Sequence, residues 1–552
     1  TAVQVARVAA TAPPATADGP RVRRWTWPVH AADPAPESPG PTDRARLTAA
    51  IEQRTAATGE RRPHRPWCPP LPDRLTAPEL PQSTTAAVLP LGLVDLPDTQ
   101  SQAALELDLA IGGTWLVIGG PGSGRSTVLR TVLREAVTRS GPDDLHVHVI
   151  ETGGGSLGEE AAALPHTGTV ISGADHLRTA RLVERLADQV ATRRAGPGGG
   201  AAPRILLLVD GIEELTTILE DADPGHGSTT LSRLLRDGAA AGLTCVVTAD
   251  RAVPGGRLAA LARHRLVLPL PDRADYAVAG VPPRAVPGHR PPGRALVGED
   301  ALECQLALPR EPAHDAAHPP RTGPAPLRIP ELPVDPALPL PSAPIATGDR
   351  PLLLPIGPGG DDGAALTVDL ARTGGLLVAG PPGSGRTAAL DAFVRHLLAA
   401  GVPVLRLGDP PSAPRPAGDA LERWADPADA AAVRTWMAAL PSGTGVLVAD
   451  DVATPTDHAA LSAVAATAGP GRTALIAAGH AAQLSAHYQG PIAALRRARV
   501  GLLLCPGPGD ADLLGIRLPR TPLPVRAGAG WLVSGSRTER VQVARHRGHG
   551  PS

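Results

Sequence analysis

The chain has 552 residues, with 53 basic Lys and Arg side chains against 54 acids and a formal net charge of −1, which excludes a protein that grips nucleic acid along its whole surface. An aromatic fraction of 2% leaves few stacking platforms for single strands, although a local basic stripe stays possible. A chain of this length holds roughly two to four domains, and its regular apolar segments exclude disorder despite 61 Gly and 64 Pro.

Cys68, Cys245, Cys304 and Cys505 lie far apart with no CxxC pair, so neither a zinc knuckle nor a disulfide framework is indicated. Reduced, mostly buried thiols are expected. No apolar stretch approaches membrane-spanning length, and no signal peptide opens the chain. The sole methionine is the internal Met437, so a chain opening at Thr1 reads as a fragment of something longer.

In chain order, residues 1–10 carry Ala2-Val3-Gln4-Val5-Ala6, a string echoed by Glu303-Cys304-Gln305-Leu306-Ala307 and by Val541-Gln542-Val543-Ala544. If it is the closing strand of a repeated unit, residues 1–10 are the tail of an upstream one; the alternative is coincidence among short strand-like strings. Residues 11–66 are rich in Pro, Ala and Arg and read as a connector with one amphipathic helix, Thr42 to Ala57. Residues 67–308 form the first full unit, 309–350 a proline-dense, stiff linker, and 351–552 the second unit. Between the units, Leu89-Pro90-Leu91-Gly92 parallels Leu354-Pro355-Ile356-Gly357, and Leu107-Asp108-Leu109 parallels Val368-Asp369-Leu370.

Within the first unit, Trp115 to Ile118 reads as a strand, 119–126 as the turn GGPGSGRS, and Thr127 to Val137 as a helix. Strands at 146–150, 205–210 and 244–248 alternate with helices at 176–192 and 229–236. Short apolar strands between amphipathic helices imply a mainly parallel sheet covered on both faces, an α/β fold. The second unit repeats the plan, with strands at 376–379, 404–407, 446–449, 475–478 and 500–504 and a helix from Ala388 to Ala399.

Strand, glycine-rich turn and helix is the layout of a phosphate-binding loop. The first loop comprises Gly119, Gly120, Pro121, Gly122, Ser123, Gly124, Arg125, Ser126 and Thr127; the second Gly380, Pro381, Pro382, Gly383, Ser384, Gly385, Arg386, Thr387 and Ala388. The glycines let backbone N–H groups face a polyphosphate, and the Ser126 or Thr387 hydroxyl is placed to coordinate Mg²⁺. Both loops carry arginine, Arg125 and Arg386, where lysine is usual; the chain has no lysine at all. Its planar fork keeps the charge but is bulkier than an ammonium, so binding is expected to survive better than catalysis.

An apolar strand ending in an acid supplies the opposite side of such a site, because that carboxylate holds Mg²⁺ through water. Asp210 and Asp450 fill this place, and the next position, usual for the carboxylate that polarises water, holds Gly211 and Asp451. Glu213 and Glu214 follow Gly211 within reach. Thr248 could sense the terminal phosphate, whereas Ala477 and Ala478 could not. Arg251 and Arg265 are candidates for contacting a neighbour's nucleotide, against the plainer reading of surface ion pairs. The histidines show no metal-ligand spacing, and Trp424, Trp436 and Met437 read as core.

The segment Leu89 to Gln102, the loop GGPGSGRST and the strand ILLLVDG resemble the second motor domain of EccC/EssC-type ATPases, FtsK/SpoIIIE-family coupling proteins of type VII secretion. GPPGSGRT, Asp450-Asp451 and the stretch Leu502 to Ala544 resemble their third motor domain, and residues 1–10 the end of the first. The resemblance implies tandem RecA-like P-loop domains that bind ATP with Mg²⁺, in a regulatory or substrate-docking role with weak or no hydrolysis. As partners it implies small helical-hairpin secretion substrates, other secretion-machine subunits and a homo-oligomer, a hexamer, formed through the full-length protein. Its place would be the cytoplasmic face of the cell membrane, with membrane helices or a forkhead-associated domain upstream. The rival is a DNA translocase of the same family, disfavoured by the tandem motors and the neutral charge. A scaffold with two empty relic loops is the third reading.

Overall fold

The computed structural model describes residues 42–59, 68–173, 175–196, 202–250, 261–262, 264–311, 322–338, 341, 352–409, 421–440, 444–453, 459–464, 473–521 and 523–545. The string at residues 1–10, most of the connector, Trp67, Arg251 and much of the linker lie outside the described residues.

Two compact units result. The smaller comprises residues 1–69 with 98–101, and its described helix is Asp43–Thr58. Thr42 caps that helix by accepting the Ala45 N–H at 3.3 Å, and Gly59 ends it at φ 64°. It buries no side chain, so the apolar face carrying Leu47 and Ile51 is exposed.

The larger unit contains two ten-stranded sheets. The first is built from β1 (Val88–Leu96), β2 (Ser101–Asp108), β3 (Gly113–Ile118), β4 (Leu145–Glu151), β5 (Thr167–Ser172), β6 (Arg204–Asp210), β7 (Leu243–Ala249), β8 (His264–Val267), β9 (Arg294–Val297) and β10 (Leu302–Leu306), in the order β2-β1-β10-β9-β8-β3-β7-β6-β4-β5. From β8 to β5 the strands run parallel, and β9 and β10 pair antiparallel beside them.

Central strands read as unbroken apolar runs because both of their faces are covered. Leu207 and Val209 pack into one cluster with Leu182, Leu186 and Leu234 from the helices His176–Ala195 and Gly227–Asp237. Their neighbours Leu206 and Leu208 pack into another with Leu129 and Val132 from the helix Arg125–Arg139. Alternate residues of one strand thus serve two cores, which is the signature of a buried parallel sheet.

The second sheet repeats the first: β11 (Leu353–Gly359), β12 (Ala364–Asp369), β13 (Gly375–Ala379), β14 (Val404–Leu407), β15 (Glu422–Ala425), β16 (Val446–Ala449), β17 (Ala474–Gly479), β18 (Val500–Leu504), β19 (Ala529–Ser534) and β20 (Arg537–Gln542), ordered β12-β11-β20-β19-β18-β13-β17-β16-β14-β15. The α/β reading therefore holds for both sheets. The antiparallel flank explains the repeated strings, since β1 pairs with β10 and β11 with β20. Trp436 is buried and Met437 packs beside it, while Trp424 is half-buried under the Arg406 guanidinium, 5.2 Å from its ring.

The described linker residues 322–338 form no strand and are held by side chains of the sheets and of the helix His176–Ala195. Thr169 Oγ1 donates to the Leu327 carbonyl at 2.9 Å and accepts the Ile329 N–H at 3.0 Å. Arginines meet three further carbonyls: Arg178 donates to Ile329, Arg540 to Pro330 and Arg526 to Leu332, at 2.8, 2.8 and 3.0 Å. Proline removes backbone donors but leaves acceptors, so side-chain donors must satisfy them. Arg181 also grips Asp361 bidentately at 2.9 and 2.5 Å.

His148 of β4 is fully buried, and its Nδ1 accepts the Thr169 N–H at 3.2 Å. Burial, aided by nearby His146, pushes its pKa down from 6.5 to about 3. With the folded value below the unfolded one, the unfolded chain binds more protons, so the contribution is full above pH 6.5 and is lost as pH falls toward 3. Urea titration should show a loss of about 1 kcal/mol from this group between pH 7 and pH 5.5, and His148→Gln should flatten that slope.

Candidate functional site

Each loop is suspended between its neighbours by backbone bonds. After β3, the Gly119 N–H donates to the Ala249 carbonyl at 3.1 Å, Gly120 to Pro269 at 3.0 Å, and Ser123 to Gly120 at 3.2 Å. Gly124, at φ 111°, starts the helix Arg125–Arg139 with no side-chain cap. The first-turn N–H groups of Arg125, Ser126 and Thr127 thus have no side-chain partner at the positive end of the helix dipole. In the second loop Gly380 donates to Gly479 at 3.3 Å and Ser384 to Pro381 at 3.2 Å, and Gly385, at φ 93°, starts the helix Arg386–Ala399 uncapped, with Thr387 and Ala388 in its first turn. Pro121 and Gly122, and Pro382 and Gly383, form the crests; a Cβ at either Gly122 or Gly383 would meet nothing within 4 Å.

The closing strings serve both loops alike. Gly293 donates its N–H to the Ser123 carbonyl at 3.0 Å, and Gly528 to Ser384 at 2.8 Å. Behind them the buried Gln305 accepts from Arg294 Nε at 2.9 Å, and the buried Gln542 from Arg526 Nε at 2.7 Å. The repeated glutamine was visible in the sequence; its task was not.

Opposite each loop stands the strand-end acid. Ser126 Oγ donates to Asp210 Oδ2 at 2.7 Å, and Thr387 Oγ1 to Asp450 Oδ2 at 2.8 Å. Thr248 Oγ1 donates to Asp210 Oδ1 at 2.6 Å and accepts the Gly211 N–H at 2.9 Å. Its hydroxyl is engaged with Asp210 rather than open to sense a phosphate. In the second site the position beside Asp450 is Ala478, one beyond the pair Ala449 and Ala477, and Asp450 Oδ1 instead accepts the Asp451 N–H at 2.8 Å.

The catalytic positions differ between sites. Gly211 has φ 97°, and a Cβ there would lie 2.4 Å from Thr152 Oγ1, whose hydroxyl donates to the Asp210 carbonyl at 2.8 Å. Thr152 therefore closes this place to a longer side chain. Glu213 does reach the site's edge: its Oε1 accepts the Asp250 N–H at 2.8 Å, and Asp250 lies 3.8 Å from Arg125 Nη1. Burial raises the Glu213 pKa, against the lowering pull of those backbone bonds and of Arg125. Glu214 is exposed. Asp451 sits at φ 47°, 78% exposed, with its carboxylate 3.5 Å from Arg386 Nη2. Arg265 donates inward to the Ala279 carbonyl at 3.0 Å.

The donor set suits a magnesium polyphosphate. Among the described residues Arg386 Nη1 is buried without a hydrogen-bond partner, beside the open crest of its own loop. Hydroxyl and carboxylate oxygens are the hard ligands Mg²⁺ takes, in company with water and phosphate. No cluster of three His, Cys, Asp or Glu side chains able to hold a metal occurs among the described residues. Cys245 and Cys304 are buried thiols pushed up to about 12 by burial, and so inert at neutral pH.

The stretch that carries the first loop is similar to a known family. Residues 83–196 match the FtsK/SpoIIIE family. Beyond this FtsK/SpoIIIE stretch, the ESX-4 secretion system protein EccC4 of Mycobacterium tuberculosis is 28% identical over 423 residues, covering 69% of this chain and 32% of that protein. The ESX-3 protein EccC3 of the same organism is 29% identical over 63% of this chain and 28% of its own length. The chain spans about a third or less of these curated relatives. Among solved structures, EssC (ATPases 2 and 3) from Geobacillus thermodenitrificans matches with a TM-score of 0.60 at 19% identity, covering 87% of this chain and 100% of that one. EccC (ATPases 2 and 3) of Thermomonospora curvata, in complex with a signal sequence peptide, matches at 0.57 and 22%, with the same coverage. The two sheets thus have the fold of EccC/EssC ATPase domains, and no described helix is long and apolar enough to cross a membrane.

Proposed function

We propose that this chain is a tandem nucleotide-binding module of a type VII secretion ATPase, whose two arginine-bearing loops bind Mg·ATP and hydrolyse it weakly or not at all. The observation that carries this reading is the pair of hydroxyl–carboxylate contacts, Ser126 to Asp210 and Thr387 to Asp450, repeated in two sheets of one topology. When bound, Mg²⁺ would neutralise phosphate charge at Ser126 and Asp210, or at Thr387 and Asp450. Asp210 and Asp450 would orient its water shell, and Arg125 and Arg386 would hold the phosphate charge.

Weak turnover follows from what the chain lacks. Position 211 is shut by Thr152, and Asp451 is shorter than a glutamate and turned toward solvent and Arg386. Glu213 is the remaining candidate base of the first site, its proton affinity raised by burial. Glu213→Gln should keep ATP affinity within about threefold while cutting residual turnover of the first site about 100-fold, read by phosphate release. Gly211→Glu should restore none.

The same reading places the whole protein at the cytoplasmic face of a membrane, with small helical-hairpin substrates, other secretion subunits and further copies of itself as partners. Robust turnover by the purified chain, abolished by Asp450→Asn, would overturn the regulatory part.

A further inference from the structure

The helix Arg125–Arg139 and Asp210 account for phosphate and metal, but nothing described so far would hold the rest of a nucleotide. A cavity of about 280 Å³ opens on the other side of the first loop, lined by Gly120, Gly122, Ser123, Pro269, Pro271 and Arg290. One buried aromatic residue organises it. Tyr276 is 1% exposed, and its hydroxyl accepts both the Leu270 N–H at 3.0 Å and Arg290 Nη1 at 2.8 Å. Arg290 also donates to the Leu270 carbonyl at 3.3 Å, and its guanidinium carbon stands 5.5 Å from the centre of the Tyr276 ring.

The wall is tied to the loop itself, because the Gly120 N–H donates to the Pro269 carbonyl at 3.0 Å. We infer that this cavity takes the base of a nucleotide, with Arg290, anchored on the Tyr276 hydroxyl, as the residue that recognises it. The inference rests on the nucleotide reading of the first loop and adds its ligand specificity. A guanidinium fixed at one end offers a flat cationic face to a heterocycle, and rigid proline rings supply the apolar side at little entropic cost.

The second loop is built differently at the same place. Where Pro269 follows β8, Cys505 follows β18, its N–H donating to the Ala529 carbonyl at 2.9 Å and its thiol to Arg526 at 3.1 Å. Counting back three residues from the glycine that holds each loop, Gly293 or Gly528, the position of Arg290 is taken by Val525, which is 97% exposed. Base recognition is therefore a property of the first loop, and the second reads phosphate.

The test uses the full chain carrying Asp450→Asn, so that the first site dominates, with Mg·ATP and magnesium tripolyphosphate as calorimetric probes. Arg290→Ala should weaken ATP about tenfold and leave tripolyphosphate unchanged, with Arg290→Lys intermediate and both variants still folded by circular dichroism. Equal weakening of both probes, or of neither, would overturn the inference while the nucleotide reading stood. Absence of heat from either probe before the Arg290 change would end both.

Discussion

Asp210→Asn is expected to lower the Mg·ATP affinity of the first site about 10–100-fold, with Mg-free ATP affected little. Both carboxylate oxygens are committed, one to Ser126 at 2.7 Å and one to Thr248 at 2.6 Å, so the group is held ready rather than recruited. An amide of the same shape keeps one acceptor and loses the negative charge, which removes the attraction for a hydrated divalent cation without emptying space in the sheet. Competition against a fluorescent nucleotide, run with Mg²⁺ and with chelator, separates the two arms. Equal loss in both would show that Asp210 supports the loop's structure instead of its metal.

Gly375→Ala is expected to destabilise the second sheet by about 3 kcal/mol, lowering its melting temperature by roughly 6–12 °C. This glycine opens β13, the strand that feeds the second loop, at φ 144°, a region that L residues rarely adopt. An added Cβ would lie 1.9 Å from the Leu475 carbonyl oxygen, and 2.8 Å from both its carbonyl carbon and its nitrogen. Those are backbone atoms of the neighbouring parallel strand β17, paired residue for residue from Gly375 with Leu475 to Ala379 with Gly479. Relief requires parting two central strands. Scanning calorimetry checks this, and a shift within about 2 °C would contradict it.

Much of the architecture could be read from residue patterns because its determinants are local. The apolar runs at 205–209 and 446–449 are each followed at once by an acid, and each glycine turn sits between a strand and a helix; these signals span a dozen residues or fewer. What stayed hidden depends on residues brought together from afar. Thr152 blocks position 211 across β4 and β6, Tyr276 gathers Leu270 and Arg290, and Gln305 and Gln542 support loops from the far end of their units. Thr248 shows the other kind of gap. The sequence offered it as a sensor of the terminal phosphate, and only the register of β6 against β7 reveals that its hydroxyl instead bridges Asp210 and Gly211.

The linker shows how composition can mislead in degree. Proline density suggests a stiff spacer, whereas residues 327–332 are bonded to Thr169, Arg178, Arg526 and Arg540. It is a strap and not merely a spacer, and the arginines that hold it lie as far as 210 residues along the chain from their acceptors.

Titration of the intact chain with Mg·ATP in a calorimeter, with phosphate release followed in parallel, bears most directly on whether guanidinium-bearing loops hold nucleotide. Two binding events should appear, Asp210→Asn and Asp450→Asn should each remove one, and turnover should stay slow throughout. A folded chain that gives no heat at millimolar nucleotide, or that turns ATP over rapidly, would contradict the account.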